Sequence, residues 1–276
     1  MEYKIVMDSA GDLKALDGIA FECVPLKILA GTAEYVDDRN LDVEDMVKSL
    51  RHFHGRSSTA CPGVGEYLEA FGDAENVFCI TITSALSGSY NAAKIAAATY
   101  EEEHPDRHVH VVDSLSAGPE MRLLALKIRD LIQEGKNFTE IAELVENYKK
   151  TTHTLFTLES IHNLANNGRV NGAVAKIVGV LGIRLVGKGS EEGKLELMDK
   201  TRGERRALAD IIKHMREMNY HGGKVLIDHV DNEAGAEKLK GLICEEFAHA
   251  EVQIGTCAGI CSFYAEHGGM ILGFEC

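Results

Sequence analysis

"ITITSALSGSYNAAK", residues Ile80 to Lys94, changes character halfway. Its start continues "NVFC" from Asn76 as an uninterrupted apolar run and reads as a buried strand. Its middle is small and hydroxyl-rich, with Ser84, Ser87 and Ser89 crowded around Gly88. Its end opens "SYNAAKIAAATYEEEHP", a helix stopped by Pro105.

The same succession recurs on either side. "YKIVM" is a short apolar strand followed by the turn "DSAGDL", and "HVHVVD" is a strand followed by "DSLSAG" and the amphipathic helix "EMRLLALKIRDLIQEG". "FECVPLKIL" reads as one further strand, "LDVEDMVKSLRHF" and "GVGEYLEAFGDA" as helices. "NFTEIAELVENYKKT" is a helix with Asn137 as N-cap and Glu140 three residues on. Apolar strands alternating with helices predict a parallel sheet covered on both faces. Such sheets bind ligands beyond the carboxyl ends of their strands. Here those ends are "DSAGD", "TSALSGS" and "DSLSAG", all rich in hydroxyls and glycine.

The second half is less regular. "TLFTL" is a strand, and "ESIHNLANNGRVNGAVAKIVGVL" reads as two helical pieces broken at "NNGRVNG". "GIRLVGKGSEEGKLELMDK" predicts a hairpin with a charged tip at Gly189–Gly193. "GERRALADIIKHMREMNY" and "NEAGAEKLKGLICEEFA" are helices, and "GKVLIDH", "AEVQIGT" and "GGMILGF" are strands. The expected fold class is α/β in two domains. A parallel-sheet α/β/α domain, 1–154, precedes an α/β domain with a mixed, partly antiparallel sheet, 155–276, and the boundary lies in polar "YKKTTHT".

Composition narrows the function classes. The 276 residues carry a formal net charge of −14, which argues against non-specific nucleic-acid or anionic-membrane binding. A single anionic ligand in a local pocket remains compatible. No apolar run reaches the roughly 20 residues that span a bilayer, and "MEYKIVMDSAGD" has no signal-peptide pattern. A cytoplasmic location is expected. The seven cysteines are scattered. Cys257 and Cys261 have no second pair or spaced histidine to complete a zinc site, so free thiols and no metal are expected.

Several residues could carry function. A helix start offers free N–H groups and partial positive charge, a seat for a carboxylate or phosphate. Ser84 and Ser87 stand at that start, and Gly88 lets a ligand approach the backbone; plain N-capping is the alternative. Ser87 lacks the G-x-S-x-G elbow, and neither G-x-x-x-x-G-K-[ST] nor G-x-G-x-x-G occurs. Thr59, in the hydroxyl-rich turn "SSTACPGVGEYLEAF", is a second candidate. Arg169 in "NNGRVNG" could clamp a carboxylate, or simply be solvated. His108 and His110 share one strand face and read as surface or core filling. A serine-dependent acyl hydrolase or phosphotransfer enzyme, and a binding module for a small anion, both stay open on these residues.

Together "IVMDSAGDL", "VPLKI", "STACPGVGEYLEAF", "ITITSALSGSYNAAKIAA", "VVDSLSAGPEMRLLAL", "LESIHNLANNGRV" and "KTRG" resemble the DegV family, in its order and over nearly the whole chain. The resemblance implies a two-domain α/β protein that binds one long-chain fatty acid. The carboxylate would sit at the domain interface on hydroxyls and the acyl chain in an apolar tunnel. It also implies a partner: in several Gram-positive bacteria such proteins present the acid to the ATP-binding catalytic subunit of fatty acid kinase, and are not themselves the catalyst. No cofactor is implied beyond the bound acid. The family's threonine matches Thr59, with Ala60 in place of the adjacent serine. The serine of its "LSG" turn matches Ser87, and the arginine of its "GGRI" segment matches Arg169. The family's C-terminal "HxGPG" is altered here in "AEHGGMILGF". Glu266 takes the aligned place, and a carboxylate contact from His267 requires a shift of one residue. The segment "VAKIVGVLGIRLVG" is expected to line part of the apolar slot, or to be ordinary core.

Overall fold

The computed structural model describes residues 2–170 and 182–276. The chain opens with β1 (Tyr3–Asp8), β2 (Ala20–Val24), β3 (Lys27–Ala30), β4 (Ala33–Val36), α1 (Val43–Arg51), β5 (Ser57–Ala60) and α2 (Val64–Phe71). Next come β6 (Asn76–Thr81), α3 (Ser89–Glu103), β7 (His108–Asp113), α4 (Pro119–Gln133) and α5 (Phe138–Tyr148). The second half holds β8 (Thr152–Leu158), α6 (His162–Asn166), β9 (Ile183–Gly189), β10 (Leu195–Arg202) and α7 (Glu204–Glu217). It ends with β11 (Gly223–His229), α8 (Glu233–Glu246), β12 (Ala250–Thr256), α9 (Gly259–Ala265) and β13 (Met270–Glu275).

Strands β2, β1, β6 and β7 form a parallel sheet in that order. Alternate residues face opposite layers. Val6, Val77 and Cys79 pack on Tyr67, Phe71 and Ala93 of α2 and α3, while Ile5, Met7 and Phe78 pack with Leu124 and Ile128 of α4. The second sheet runs β10, β9, β8, β13, β11, β12 and is mixed, with β11 and β12 parallel and the other pairs antiparallel. Leu155, Ile211, Ile227 and Leu239 join its outer face to α7 and α8. Its inner face, with Phe156, Leu158 and Leu185, turns toward the first half.

Helix α4 is shared by both sheets. A Cβ on Gly273 of β13 would stand 2.3 Å from the Glu120 backbone nitrogen, so glycine there lets the helix start lie directly on the strand. The buried Glu120 carboxylate accepts hydrogen bonds from Thr152 Oγ1 (2.7 Å) and Thr154 Oγ1 (2.5 Å) of β8. Burial outweighs those bonds and pushes the carboxyl up to about 7. The folded state therefore holds this proton more tightly than the unfolded chain. The stability it contributes is present below the ordinary value of 4.5 and is lost as pH rises through about 7. The shift corresponds to about 3 kcal/mol. Buried Asp8, pushed up to about 6 mainly by desolvation, acts in the same direction. The Tm of the wild type is expected to fall between pH 5 and pH 7.5, and Glu120→Gln to flatten that fall; an unchanged slope in the variant would remove Glu120 as its source.

Two sequence expectations change. "FECVPLKIL" is not one strand: Pro25, which has no N–H to donate, separates β2 from β3. Strand β3 enters a third sheet, β4–β3–β5, antiparallel throughout. The turn expected around Thr59 is therefore strand β5, with Thr59 opposite Ile28. The hairpin at Gly189–Gly193 forms as expected between β9 and β10. The second helical piece expected after "NNGRV", and most of "VAKIVGVLGIRLVG", lie outside the described residues.

Candidate binding site

A cavity of about 340 Å³ lies between the carboxyl ends of the parallel strands and the inner face of the mixed sheet. Leu26, Ile82, Phe156, Leu158, Leu164 and Ile260 give it an apolar wall. Thr59, Ser87, Gly88, Arg169 and Tyr264 bring polar groups to it from four separate parts of the chain.

The three serines part ways for reasons far off in sequence. Asp8, at the end of β1, accepts hydrogen bonds from Ile82 N (2.9 Å), Ala10 N (3.2 Å) and Ser89 Oγ (2.6 Å). Tyr67 OH lies 2.6 Å from the same Ser89 hydroxyl. Ser89 is thus a buried clamp on the start of α3. Asp113 Oδ1 accepts from Ser84 N (3.1 Å) and Leu115 N (3.2 Å), and Ser84 is exposed. Ser84, expected to bind ligand, is held by Asp113 through its backbone N–H and is not among the described residues that line the cavity. Ser87 is among them. Its Oγ accepts from Ser89 N (3.2 Å), which uses one lone pair and leaves the O–H to donate.

Arg169 follows Gly168, whose φ of 70° bends the chain back after α6. Its Nε donates to Leu86 O (3.2 Å) and a terminal nitrogen donates to Asn167 O, which sets the guanidinium beside the Ser87 turn. Thr59 Oγ1 lies 2.7 Å from Tyr264 OH on α9. Burial pushes the Tyr264 phenol up, opposed by the Thr59 bond and the Arg169 charge.

Helix α9 is held from the opposite half. The buried Asp37 carboxylate accepts from Gly259 N (2.9 Å), Ile260 N (2.9 Å) and Lys14 Nζ (2.8 Å). Asp12 Oδ1 accepts from Ala258 N (2.8 Å). Glu266 ends α9 at a φ of 55°, and its Oε1 accepts from Asn163 N (3.0 Å), tying α6 to α9. His267 is exposed, with Nδ1 3.3 Å from Asp231 Oδ2, a carboxylate that also accepts from Arg51 (2.8 Å). His267, expected to contact a ligand carboxylate, lies after the turn at Glu266 against Asp231 and is not among the described cavity residues, while Tyr264 stands beside Thr59.

Tyr264 was not found from sequence, yet a signal for it exists. The four longest stretches free of Asp and Glu are 46–65, 76–100, 160–190 and 252–265. They carry Thr59, Ser87, Arg169 and Tyr264 respectively. Together they hold eight Lys and Arg in a chain of net charge −14. These four polar residues of the cavity wall thus lie in carboxylate-free stretches of the sequence. Among the described cavity residues none is His, Lys, Asp or Glu, and no group of three or more metal-ligating side chains occurs among the described residues. Cys261 is buried with Sγ 3.3 Å from Ala10 O, and burial pushes its thiol and that of Cys257 up. No described helix is long and apolar enough to cross a membrane.

The sequence model of the DegV family, described as uncharacterised proteins, matches residues 2–274. A DegV domain-containing protein of Streptococcus gordonii is 40% identical over 100% of this chain and 99% of its own. A DegV family protein from Eubacterium eligens, crystallised with heptadecanoic acid, is 43% identical with a TM-score of 0.96 over 99% of both chains. The fatty acid kinase B3 protein of Streptococcus pneumoniae, loaded with linoleic acid, is 40% identical with a TM-score of 0.97 over 100% of this chain and 99% of that one.

Proposed function

This chain belongs to the DegV family, and from that premise we propose that it binds a single long-chain fatty acid and presents the carboxyl group to a fatty acid kinase catalytic subunit. The observation that carries the reading is the cavity itself, an apolar chamber with hydroxyls and one guanidinium at the site. Thr59, Ser87 and Tyr264 supply the hydroxyls and Arg169 the cation, while the turn at Gly88 opens the backbone to the headgroup. Charge-assisted bonds of this kind favour the ionised acid. Each buried methylene adds roughly 0.8 kcal/mol, so the acyl chain supplies most of the affinity and the seat supplies the choice of headgroup. The proposed domains, 1–154 and 155–276, close over the ligand from either side.

The chain acts as a non-catalytic carrier in this reading. Among the described residues of the cavity wall, none is a histidine, lysine or carboxylate that could take a proton from Ser87, as a serine nucleophile requires. Phosphoryl transfer from ATP is assigned to the partner subunit, in the cytoplasm.

Native mass spectrometry of the purified protein, followed by lipid analysis after denaturation, tests the proposal. One acid of palmitate, stearate or oleate size per chain is expected. A protein that is empty and takes up no added fatty acid would overturn it.

A further inference from the structure

Beside the main cavity lies a void of about 10 Å³, walled by Phe156, Ile161, Leu164, Val170, Leu185, Leu195 and Leu197. Phe156, Leu164 and Leu195 line both spaces. Leu164 of α6 and Leu195 of β10 form part of the wall between them, and the rest is built on one rung of the mixed sheet. Ile271 of β13 pairs with Phe156 of β8, Phe156 with Gly187 of β9, and Gly187 with Leu197 of β10. Directly paired residues point to the same face. Along this rung Ile271 faces the cavity, Leu197 faces the void, and residue 187 has no side chain to stand between them.

The Phe156 ring fills that gap. A Cβ on Gly187 would lie 2.3 Å from Phe156 Cζ and 2.6 Å from Cε2, so the ring tip occupies the space a side chain there would take. With no side chain at residue 187, a turn of the ring about its own torsions meets no β-carbon there. The described residues around the space behind the ring are all apolar, and its volume is at the lower limit for one water. It is about the size of a methyl group and lies on the far side of Phe156 from the cavity.

We propose that Phe156 is a movable partition and that the void is a side pocket for a methyl branch on the acyl chain, which makes Phe156 a residue that sets acyl-chain shape. The inference rests on the fatty-acid reading above and adds the class of acid. A straight chain leaves the ring over Gly187. A branched chain at the right carbon displaces it and gains the burial of one methyl, about fourfold in affinity.

The test is competition between straight heptadecanoic acid and isomers with a methyl placed at successive carbons, with the bound acids released and identified by gas chromatography. In the wild type one branch position is expected to be enriched about fourfold over its neighbours. Leu197→Phe, which fills the void from the side away from the cavity, should abolish that enrichment while straight-chain binding stays unchanged. Phe156→Leu should broaden it to adjacent positions. A flat profile in the wild type, or an enrichment that survives Leu197→Phe, would overturn the proposal. Uptake of no acid of any shape would instead defeat the fatty-acid reading on which it stands, and the proposal with it.

Discussion

The double variant Thr59→Val, Ser87→Ala is expected to bind a long-chain fatty acid at least about a hundredfold more weakly than the wild type, with its fold intact. A hydrogen bond to a charged group contributes about 1.5–3 kcal/mol, and a tenfold change in affinity is about 1.4 kcal/mol. The two hydroxyls reach the cavity on different elements, one from β5 and one from the turn before α3. Both would donate to the same carboxylate, so their losses are not strictly additive. Valine keeps the branched shape of Thr59 on its strand, and alanine at 87 removes only the bond from Ser89 N. The apolar wall is untouched, so residual binding should persist. Equilibrium titration of the double variant decides the matter, and affinity within a few-fold of wild type would reject the assigned roles.

Asp37→Ala is expected to destabilise the protein by about 3–5 kcal/mol, the range for breaking a buried charge pair. For a chain of this size that is on the order of 10 °C in Tm. The loss leaves Lys14 without the carboxylate it bonds at 2.8 Å and strips two N–H acceptors from the start of α9. Asp37 does not line the cavity. Fatty-acid affinity should fall nonetheless, because α9 carries Tyr264 to Thr59. Asp37→Asn keeps an acceptor for one N–H and should lose less of both. Thermal melts and titrations of the two variants check this. Lost stability with unchanged affinity would mean that α9 positions Tyr264 without Asp37.

The layered architecture is legible in the sequence because buried strands and amphipathic helices leave strong periodic patterns. "NVFCITI" is buried along β6 for that reason. The small β4–β3–β5 sheet is hard to read because its strands are four residues each, too short for a pattern. The site is legible only in part. Ser87, Gly88, Thr59 and Arg169 all reach the cavity wall. Which serine faces the cavity depends on Asp8 and Asp113, which hold Ser89 and Ser84 in place. No local pattern around Ile80–Lys94 contains either acid. His267 draws notice as a histidine, whereas the residue beside Thr59 is a tyrosine inside the mostly apolar "GICSFYA". The acids that seat α9 belong to loops more than two hundred residues upstream (Asp37 to Gly259), a pairing that only folding brings together.

The central claim is that this cavity selects a carboxylate. Comparing the affinity of the wild-type protein for hexadecanoic acid and for the primary alcohol of the same chain length tests it most directly. The two share an acyl chain and differ only in the headgroup. The acid is expected to bind at least about tenfold more tightly, and the double variant at Thr59 and Ser87 to lose most of that preference. Equal affinity for acid and alcohol would contradict the account, since the hydroxyls and Arg169 would then hold no headgroup.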